Sequence, residues 1–391
     1  MSLLTFLAPA PFAQFTTRFG GPFTADANAM IYNVPAGEAA LGLLEGGCAP
    51  LSFNPSAVYR DLLDGGDFTV APWQRNIPGL ASGGVIASAI TTTPTYFADR
   101  WFHVAGAGGI LVSKVTDASV PGYNVGLKTQ RQSGSTDTTL IQTGQVMESP
   151  DVVRTQGQYL TLSVLVKAGA NFSGAGLNLN IIGSSGVNQS SANLVAGSWT
   201  AQATLATSLT ALTPGYQKIT LTTNSPVPAS VNQLAVTFTY TPTGTAGADD
   251  SFTILDTQLE LGTYASPFER REAQVELELA QRYAAVFVEP ASGVFVGAGN
   301  LTSATNASII LPLPVQLWRA PVLTGLGAVS LGTFKVAAGG TVYTPSALAG
   351  NANHTPLIVG LTATISGGTT GQGVTLQGGG GSGYVVASAD F

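Results

Sequence analysis

The feature that most constrains this fold is a series of short runs, within residues 61–270, in which apolar and polar residues alternate. The runs are rich in Thr, Val and Ile, and four of them cover residues 159–166, 177–182, 217–222 and 233–240. Successive side chains of a strand point to opposite faces, so a period of two predicts half-buried β-strands. Clusters of Gly, Asn, Ser and Pro separate the runs, and no helical pattern lies between them. The sequence therefore predicts a mainly β protein with an antiparallel β-sandwich over residues 61–270.

Residues 256–287 depart from this pattern, because strand periodicity gives way there to helical periodicity. The segment holds nine of the 36 charged side chains of the chain (15 basic and 21 acidic). Ser266, Pro267 and Glu269 match a capping box, with serine as the N-cap and proline at the first helical position. The pattern predicts a short linking helix over residues 271–287, with its capped start near Pro267. The basic doublet Arg270-Arg271 is interpreted as its solvated start.

One apolar stripe runs along this predicted helix. Val275, Leu279 and Tyr283 recur at i, i+4 and i+8, which places them on one face of an otherwise polar helix. The helix is too short, and its heptad pattern too weak, for a long coiled coil. The stripe is predicted to pack on the sandwich or against other copies of the chain, so these three residues are candidates for an oligomer interface.

The two flanking regions are predicted to form separate units. Residues 1–60 form a small α/β piece with a short strand, and a helix over residues 36–45 that ends at glycine. This piece is too small for a strong core of its own and suits docking to a neighbouring subunit. Its Cys48, the only cysteine of the chain, excludes an intrachain disulfide and is interpreted as a packed thiol.

Residues 288–391 are predicted to form a second β-rich unit, with only four charged side chains. Residues 308–315 and 318–323 are predicted to form two strands joined by a turn, and residues 384–388 a final strand. The glycine-rich run at residues 378–383 is typical of a flexible loop or of a tight junction between subunits.

The composition excludes several classes of function. Charged residues make up 9% of the chain, against about 25% in a typical soluble domain. With a mean hydropathy of +0.28, a monomer would be poorly protected from association, which favours an oligomer or a particle-bound subunit. A net charge of −6 without a basic patch argues against nucleic-acid binding. No apolar run is long enough for membrane insertion, and the N-terminus lacks the basic region of a signal peptide.

Residue types that carry chemistry are scarce and do not match catalytic motifs. The chain has two histidines, and no Gly-x-Ser-x-Gly, P-loop, His-Glu-x-x-His or Cys-x-x-Cys pattern. Asp249 and Asp250 are adjacent in a polar turn and are interpreted as solvated, with a calcium site as the alternative. Trp73, Trp101 and His103 are interpreted as core residues. The sequence predicts no enzyme and no cofactor.

Four aromatic side chains are candidates for stacking on sugar rings. Trp199 lies in a polar run and is predicted to be partly exposed. Trp318, Tyr343 and His354 lie in the C-terminal unit, which is the distal tip if residues 1–60 are the anchor. The alternative for all four is ordinary packing in a β-core or an interface.

Three landmarks resemble a module of bacteriophage tail-fibre and related virion appendage proteins. Upstream, they are residues 63–75, with Leu-Asp-Gly-Gly-Asp-Phe-Thr and Pro-Trp-Gln-Arg, and residues 96–101. Downstream, the match is Gln258-Leu259-Glu260-Leu261-Gly262, Ser266-Pro267-Phe268-Glu269-Arg270 and Glu276-Leu277-Glu278-Leu279-Ala280-Gln281-Arg282-Tyr283. Family members often carry cysteine at the position of Ala280. The resemblance covers residues 61–287, and an Arg-Ala-Pro strand at Arg319 extends it more loosely.

This resemblance implies a jelly-roll-like sandwich akin to carbohydrate-binding modules, with residues 63–69 in its opening strand. It implies a structural subunit of a phage virion, assembled as a homotrimer. Residues 1–60 would attach to other virion proteins, and the β-domains would adhere to host-surface glycan. A capsid decoration or head-fibre protein is the first alternative. A polysaccharide depolymerase is the second.

Overall fold

The computed structural model describes residues 60–69, 73–75, 93–117, 125–323 and 327–391, together with the backbone of five short strands outside these ranges. The chain divides into two compact units, Met1–Arg60 and Asp61–Phe391. The predicted linking helix and C-terminal unit therefore belong to the same compact unit as the predicted sandwich. Within the described residues, no helix is long and apolar enough to cross a membrane.

In the first unit the described backbone forms two small antiparallel pairs. Strand β1 (Phe15–Thr16) pairs with β2 (Pro22–Phe23), and β3 (Ala29–Ile31) pairs with β4 (Leu43–Glu45). The prediction of a helix over residues 36–45 is wrong at its end, because residues 43–45 are held in a strand by pairing with β3. The rest of that range and Cys48 lie outside the described residues.

Two six-stranded antiparallel sheets form the sandwich. Their strands are β5 (Val85–Ser88), β6 (Thr95–Ala98), β7 (Trp101–Val104), β8 (Ile110–Thr116), β9 (Val125–Arg131), β10 (Ile141–Val146), β11 (Leu160–Ala168), β12 (Leu177–Ser184), β13 (Ala203–Thr210), β14 (Gln217–Thr222), β15 (Gln233–Tyr240) and β16 (Ser251–Leu261). Sheet A has the order β13-β12-β15-β10-β7-β6, and sheet B has the order β14-β11-β16-β9-β8-β5. The mainly β fold and the antiparallel sandwich predicted from the alternating runs are confirmed.

The inner faces of the two sheets form one hydrophobic core. Leu162, Val164 and Val166 of β11 are fully buried, and they alternate with Thr161, Ser163 and Leu165 on the other face. Each such side chain stabilises the fold by about 1.5–3 kcal/mol relative to an exposed position. Trp73 and Trp101 lie in this core, as predicted. Residues 63–69 were predicted to form an opening strand, but they form turns instead.

Three short helices and one 3-10 turn complete the sandwich and its edge. They are α1 (Ser149–Val152), the 3-10 turn Val153–Thr155, α2 (Ser191–Val195) and α3 (Ala273–Gln281).

The predicted capping box at the start of α3 is wrong. Ser266 donates its hydroxyl to Glu260 Oε2 at 2.7 Å, and its N–H to Oε1 at 2.8 Å, so this serine caps no helix. The helix begins only at Ala273, after Glu272, whose side chain makes no capping hydrogen bond. The carboxylate of Glu260, on the last strand of the sandwich, binds the serine that the sequence predicts as the N-cap.

The C-terminal strands form a second pair of antiparallel sheets. They are β17 (Ala284–Val288), β18 (Phe295–Leu301), β19 (Asn306–Pro312), β20 (Ala328–Ser330), β21 (Lys335–Ala338), β22 (Thr341–Tyr343), β23 (Ala347–Gly350), β24 (Ile358–Thr364), β25 (Gly373–Gln377) and β26 (Tyr384–Ser388). One sheet has the order β17-β26-β20, and the other has the order β22-β21-β25-β18-β19-β24-β23. The predicted strand at residues 384–388 is confirmed. The predicted helix over residues 271–287 is wrong at its end, because α3 stops at Gln281 and residues 284–287 pair with β26 as part of β17. Residues 318–323 form no strand, because only Val322 pairs there, in an isolated bridge to Ser388.

The glycine-rich run at residues 378–383 is folded around one buried carboxylate. Glu289 accepts hydrogen bonds from the N–H groups of Gly379, Gly381 and Gly383 at 2.8, 3.2 and 2.8 Å, and from both the N–H and the hydroxyl of Thr333. A Cβ atom on Gly379, Gly381 or Gly383 would lie within 3.0 Å of Thr333 or of Glu289 itself. The run is therefore a tight internal loop rather than a flexible one.

Candidate functional site

Two of the charged residues that follow β16, Arg271 and Glu276, bind the sandwich rather than water. Arg271 donates to the backbone oxygens of Leu63, at 3.0 Å, and of Asp61, and it pairs with Glu276 Oε1 at 3.1 Å. Glu276 in turn accepts the N–H of Gly65 at 2.9 Å. The Arg271 and Glu276 side chains are only 3% and 6% exposed. The prediction of a solvated helix start is therefore wrong for Arg271.

Tyr283, at the end of the predicted stripe, is buried inside the unit. Its hydroxyl donates to Glu148 Oε1 at 2.6 Å, and the Arg100 guanidinium carbon lies 3.4 Å from its ring centroid. Arg282 holds both oxygens of the same Glu148 carboxylate, at 2.8 and 2.9 Å. Tyr283 is therefore unable to contact another copy of the chain, which corrects its assignment as an interface residue.

The other two residues of the stripe have a different position. Val275 and Leu279 are half-buried on α3, whose buried residues are Glu276 and Ala280. The face of α3 that packs inward is therefore shifted from the predicted stripe. Contact of Val275 and Leu279 with another copy stays a prediction.

The two tryptophan candidates for glycan contact are used in packing. Trp199 is 3% exposed, and its Nε1 donates to the Ser190 carbonyl at 2.9 Å, so the prediction of partial exposure is wrong. Trp318 is half-buried, stacks on Phe391 with ring centroids 4.5 Å apart, and lies 4.7 Å from the Arg319 guanidinium carbon. Both contribute to the packing between sheet A and the C-terminal strands.

Tyr343 and His354 lie in the C-terminal strands, apart from that packing. Tyr343 packs on the C-terminal core, and its hydroxyl donates to the Gly367 carbonyl at 3.3 Å. His354 is half-buried between β23 and β24, and its Nδ1 is buried without a hydrogen-bond partner among the described residues. The structure does not bring the four aromatic candidates together, and a sugar contact at Tyr343 or His354 stays a prediction.

Asp249 and Asp250 occupy the predicted turn but belong to two separate clusters. Asp250 is fully buried, where it accepts hydrogen bonds from Arg131 Nη1 at 2.7 Å, from the Ser173 N–H at 3.0 Å and from the Tyr240 hydroxyl. The prediction of a solvated carboxylate is therefore wrong for Asp250. Among the described residues, no group of three His, Cys, Asp or Glu side chains could hold a metal ion.

His103 of β7 is a core residue, as predicted. Its Nδ1 lies 3.1 Å from Thr143 Oγ1 on the neighbouring strand β10. Burial lowers the pKa of His103 to about 3, so the ring is neutral at physiological pH. A neutral and fully buried ring is out of reach of a ligand at the surface.

Part of the outer face of sheet A is covered by the rest of the chain. Tyr96, Phe102 and Val146 project from that face and pack against α2, Tyr283 and Phe391. The Tyr96 hydroxyl donates to the Phe391 carbonyl at 3.0 Å. Among the described residues, the outer face of sheet B is covered only at one end, where Ser266 and Glu269 bond Glu260 and Gln258. A ligand could reach the other end of that face, around Lys128 and Lys167.

The strand register places polar side chains in one row across the outer face of sheet B. Lys167 of β11 pairs with Thr253 of β16, Thr253 pairs with Lys128 of β9, and Lys128 pairs with Ser113 of β8. Neighbouring strands lie about 4.8 Å apart, so the Cα atoms of the two lysines, two strands apart, are separated by about 10 Å. Two partly exposed lysines therefore flank one buried threonine on this face.

Each lysine of this row is paired with a carboxylate from a loop at the sheet's end. Lys128 Nζ lies 2.7 Å from Asp249 Oδ1, and Lys167 Nζ bonds Asp117 Oδ2. Burial opposes the charge of Asp249, but hydrogen bonds from Lys128, Ser251 and the Ala170 N–H outweigh it and lower the pKa of this carboxyl. Each pair joins one basic and one acidic side chain, so the formal charges of the four residues balance.

These residues line a cleft that we call the sheet B cleft. It encloses about 340 Å³, and its walls include Val115, Asp117, Lys128, Lys167, Asp249 and Thr253. Its size falls in the range of about 300–1,000 Å³ that is common for small-molecule sites. The sequence prediction identified Asp249 but missed both lysines and Asp117, because these come from distant strands that only the register joins.

A second exposed surface lies on the C-terminal sheet. Phe295 is 68% exposed and Ile310 is 42% exposed, and they line a shallow apolar depression with Val296, Pro312 and Thr375. It offers apolar contact but few polar groups to orient a ligand, and the C-terminal strands carry few charges around it. The sheet B cleft is therefore the better candidate for recognition of a polar ligand.

No family model matches the chain, and no curated protein matches its sequence. Among solved structures, it is similar to a protein described as "CBM4 structure and function", with 19% identity and a TM-score of 0.28 over 45% of this chain and 99% of the other. It is also similar to the enzymatically active domain of bacteriophage CBA120 tailspike protein 4, with 12% identity and a TM-score of 0.31 over 52% of this chain and 22% of the other.

A third similar structure is the CBM22-1–GH10 modules of the Clostridium thermocellum xylanase 10B, complexed with xylohexaose. Its identity is 15% and its TM-score is 0.25, over 44% of this chain and 28% of the other. The chain thus spans less than a third of the tailspike and xylanase chains that it matches. Because their identities and TM-scores are low, none of these three similarities establishes a function for this chain.

Proposed function

We propose that this chain is a non-catalytic structural subunit of a bacteriophage virion appendage that adheres to a host-surface glycan. The observation that carries the adhesive part is the sheet B cleft, in which ammonium, carboxylate and hydroxyl groups meet on an open sheet face. Sugar hydroxyls both donate and accept hydrogen bonds, and a cleft that offers both roles suits them. The charge-assisted bonds are also the stronger ones.

The virion part of the proposal rests on the resemblance of residues 256–287 to phage appendage proteins. The contacts of this segment support a structural role for it. Arg271, Glu276 and Arg282 all bind groups of the sandwich or its edge, so the charged motif joins the sandwich to the C-terminal strands. A motif that builds a joint is suited to a structural protein in which one β-domain follows another.

The composition supports assembly into a larger particle. Of the four charged residues in 288–391, Glu289 and Asp390 are buried, and Arg319 is half-buried against the backbone of Asp390. Lys335 is therefore the main charge on the surface of residues 288–391. Its Nζ bonds Thr344 Oγ1 at 2.8 Å. So uncharged a surface favours contact with other subunits, and a homotrimer is our preferred assembly.

Binding of the full-length protein to bacterial cells tests the adhesive function. The cells are treated either with periodate, which cleaves vicinal diols of sugars, or with protease. We expect binding that is lost after periodate and kept after protease. Binding that is lost only after protease would identify a protein receptor and overturn the proposal. Release of new reducing ends from surface polysaccharide would show a depolymerase instead.

Deletion of residues 1–60 tests the attachment in a phage that carries this chain. We expect the truncated protein to be missing from the tails of purified particles. Its loss from capsids would instead indicate a decoration or head-fibre protein. Analytical ultracentrifugation of the full-length protein tests the homotrimer.

A further inference from the structure

We infer that the sheet B cleft takes a neutral glycan segment, held by Lys128 and Lys167 and screened against anions by Asp117 and Asp249. This inference rests on the proposed adhesive function and names the chemical class of its ligand. It follows from the charges, the spare donors and the shape of the cleft.

The two lysines supply the hydrogen-bond donors. An ammonium group has three N–H donors. Among the described residues, Lys128 uses one of them on Asp249, and Lys167 is held by Asp117. Their side chains are 23% and 28% exposed, so solvent and a ligand can reach both of them. Each ammonium can therefore donate to a sugar hydroxyl without breaking its ion pair.

The two carboxylates decide the charge of the ligand. Asp249 and Asp117 each lie against one lysine, so the cleft carries two positive and two negative groups. An anionic ligand that reached either lysine would also approach the neighbouring carboxylate, and like charges at short range cost binding energy. A neutral ligand has no such penalty, and its hydroxyls can also donate to carboxylate oxygens.

Tyr216 positions the Lys167 side of the cleft. The Lys167 ammonium lies 4.7 Å from the Tyr216 ring centroid, within the distance of a cation–π contact. Burial and the nearby Asp117 raise the pKa of Tyr216 to about 12, so its hydroxyl stays protonated. The ammonium is thus fixed between a ring and a carboxylate, and a fixed donor loses less entropy when a ligand binds.

Part of the cleft lining consists of small residues. Ala168 ends β11, Gly169 and Ala170 follow it, and a Cβ atom on Gly169 would lie within 3.0 Å of the Ser251 hydroxyl and of Asp249. The glycine lets this loop approach the start of β16, where Asp249 accepts the Ala170 N–H at 3.1 Å. Small residues in the lining leave room for a ligand beside the charged groups of the cleft.

A glycan array with neutral, uronic-acid-bearing and phosphate-bearing oligosaccharides tests the inference on the full-length protein. We expect binding to neutral oligosaccharides. The strongest neutral ligand is then titrated by calorimetry at 50 and 500 mM NaCl. Its dissociation constant should change less than about twofold, because salt screens charge–charge interactions and this ligand carries no charge.

Substitutions then locate the site. Lys128→Gln and Lys167→Gln should each weaken binding about tenfold, the equivalent of one charge-assisted hydrogen bond. Lys218→Gln is the matched control, because Lys218 lies on β14 of the same sheet, outside the cleft, and its Nζ bonds the Ser266 carbonyl at 3.2 Å. This variant should bind within about twofold of the parent protein, and unchanged thermal melting establishes that all three variants fold.

The outcomes separate the inference from the proposed function. Binding of neutral glycans that survives both cleft substitutions would move the site elsewhere and leave glycan adhesion standing. Selective binding of anionic glycans, with a steep salt dependence, would overturn the ligand class alone. Absence of binding to every glycan on the array would overturn both.

Discussion

Replacement of Glu289 by glutamine should destabilise the C-terminal strands in a pH-dependent way. Burial opposes the charge of this carboxylate, but the hydrogen bonds from Thr333, Gly379 and Gly383 prevail and lower its pKa from 4.5 to about 2. A depressed carboxyl pKa means that the folded state holds the proton less tightly than the unfolded state does. The stabilisation is therefore complete above about pH 4.5 and is lost as the pH falls toward about 2.

The size of the effect follows from that pKa difference. Each unit corresponds to about 1.4 kcal/mol, so the ionised carboxylate stabilises the fold by at most about 3.5 kcal/mol. Glutamine keeps one of the two acceptor oxygens and turns an NH₂ group toward backbone N–H donors. We expect Glu289→Gln to lower the free energy of unfolding by about 2–3 kcal/mol at pH 7.

Urea denaturation followed by tryptophan fluorescence, at pH 7 and at pH 3, measures this difference. Glu278→Gln is the matched control, because Glu278 lies exposed on α3 and its carboxylate accepts a hydrogen bond from the exposed Gln274 at 3.1 Å. The control should change stability by less than about 0.5 kcal/mol at both pH values. If both variants lose the same stability at pH 7, or if the loss at Glu289 is independent of pH, the account of the glycine-rich loop is refuted.

Three further outcomes follow from the buried polar groups. Arg271→Ala should lower the free energy of unfolding, measured by urea denaturation, by about 3–5 kcal/mol, because it leaves buried carboxylates unpaired. Arg270→Ala breaks a partly exposed pair and should lower the free energy of unfolding by under about 1 kcal/mol. Tyr283→Phe removes the 2.6 Å hydrogen bond to Glu148 and should lower the melting temperature, with a cost of about 1–2 kcal/mol. The pKa of about 3 at His103 lies below that of an unfolded histidine, so stability should fall as the pH drops from about 6.5 toward 3. His103→Asn should flatten that part of the pH–stability curve, and an unchanged slope would contradict the pKa shift.

The strands could be predicted because their signal is local. The run at residues 233–240 and the strand β15 (Gln233–Tyr240) coincide, as do residues 217–222 and β14 (Gln217–Thr222). The side-chain period of two arises from the backbone of each strand and needs no knowledge of its neighbours. The same reasoning failed at residues 36–45, where pairing with β3 decides the conformation of the last three residues.

The helix start and the cleft could not be predicted, because distant residues determine both. Ser266 matches an N-cap in sequence, but Glu260 on β16 takes its hydroxyl and its N–H. Lys128 and Lys167 lie 39 positions apart in the chain, and each is an ordinary lysine in an alternating run. Only the pairing of both strands with β16 brings them to one row. Register joins residues that no local pattern connects.

The covered face of sheet A has a mechanical consequence for an adhesive protein. Bending between the sandwich and the C-terminal strands would expose Tyr283 and Phe391 and would separate Glu148 from Arg282 and Asp390 from Arg75. The joint therefore resists rotation, and the sandwich and the C-terminal strands should move together as one rigid body. Under the proposed adhesive function, a force on a ligand in the sheet B cleft would be transmitted through this joint to the C-terminal sheets.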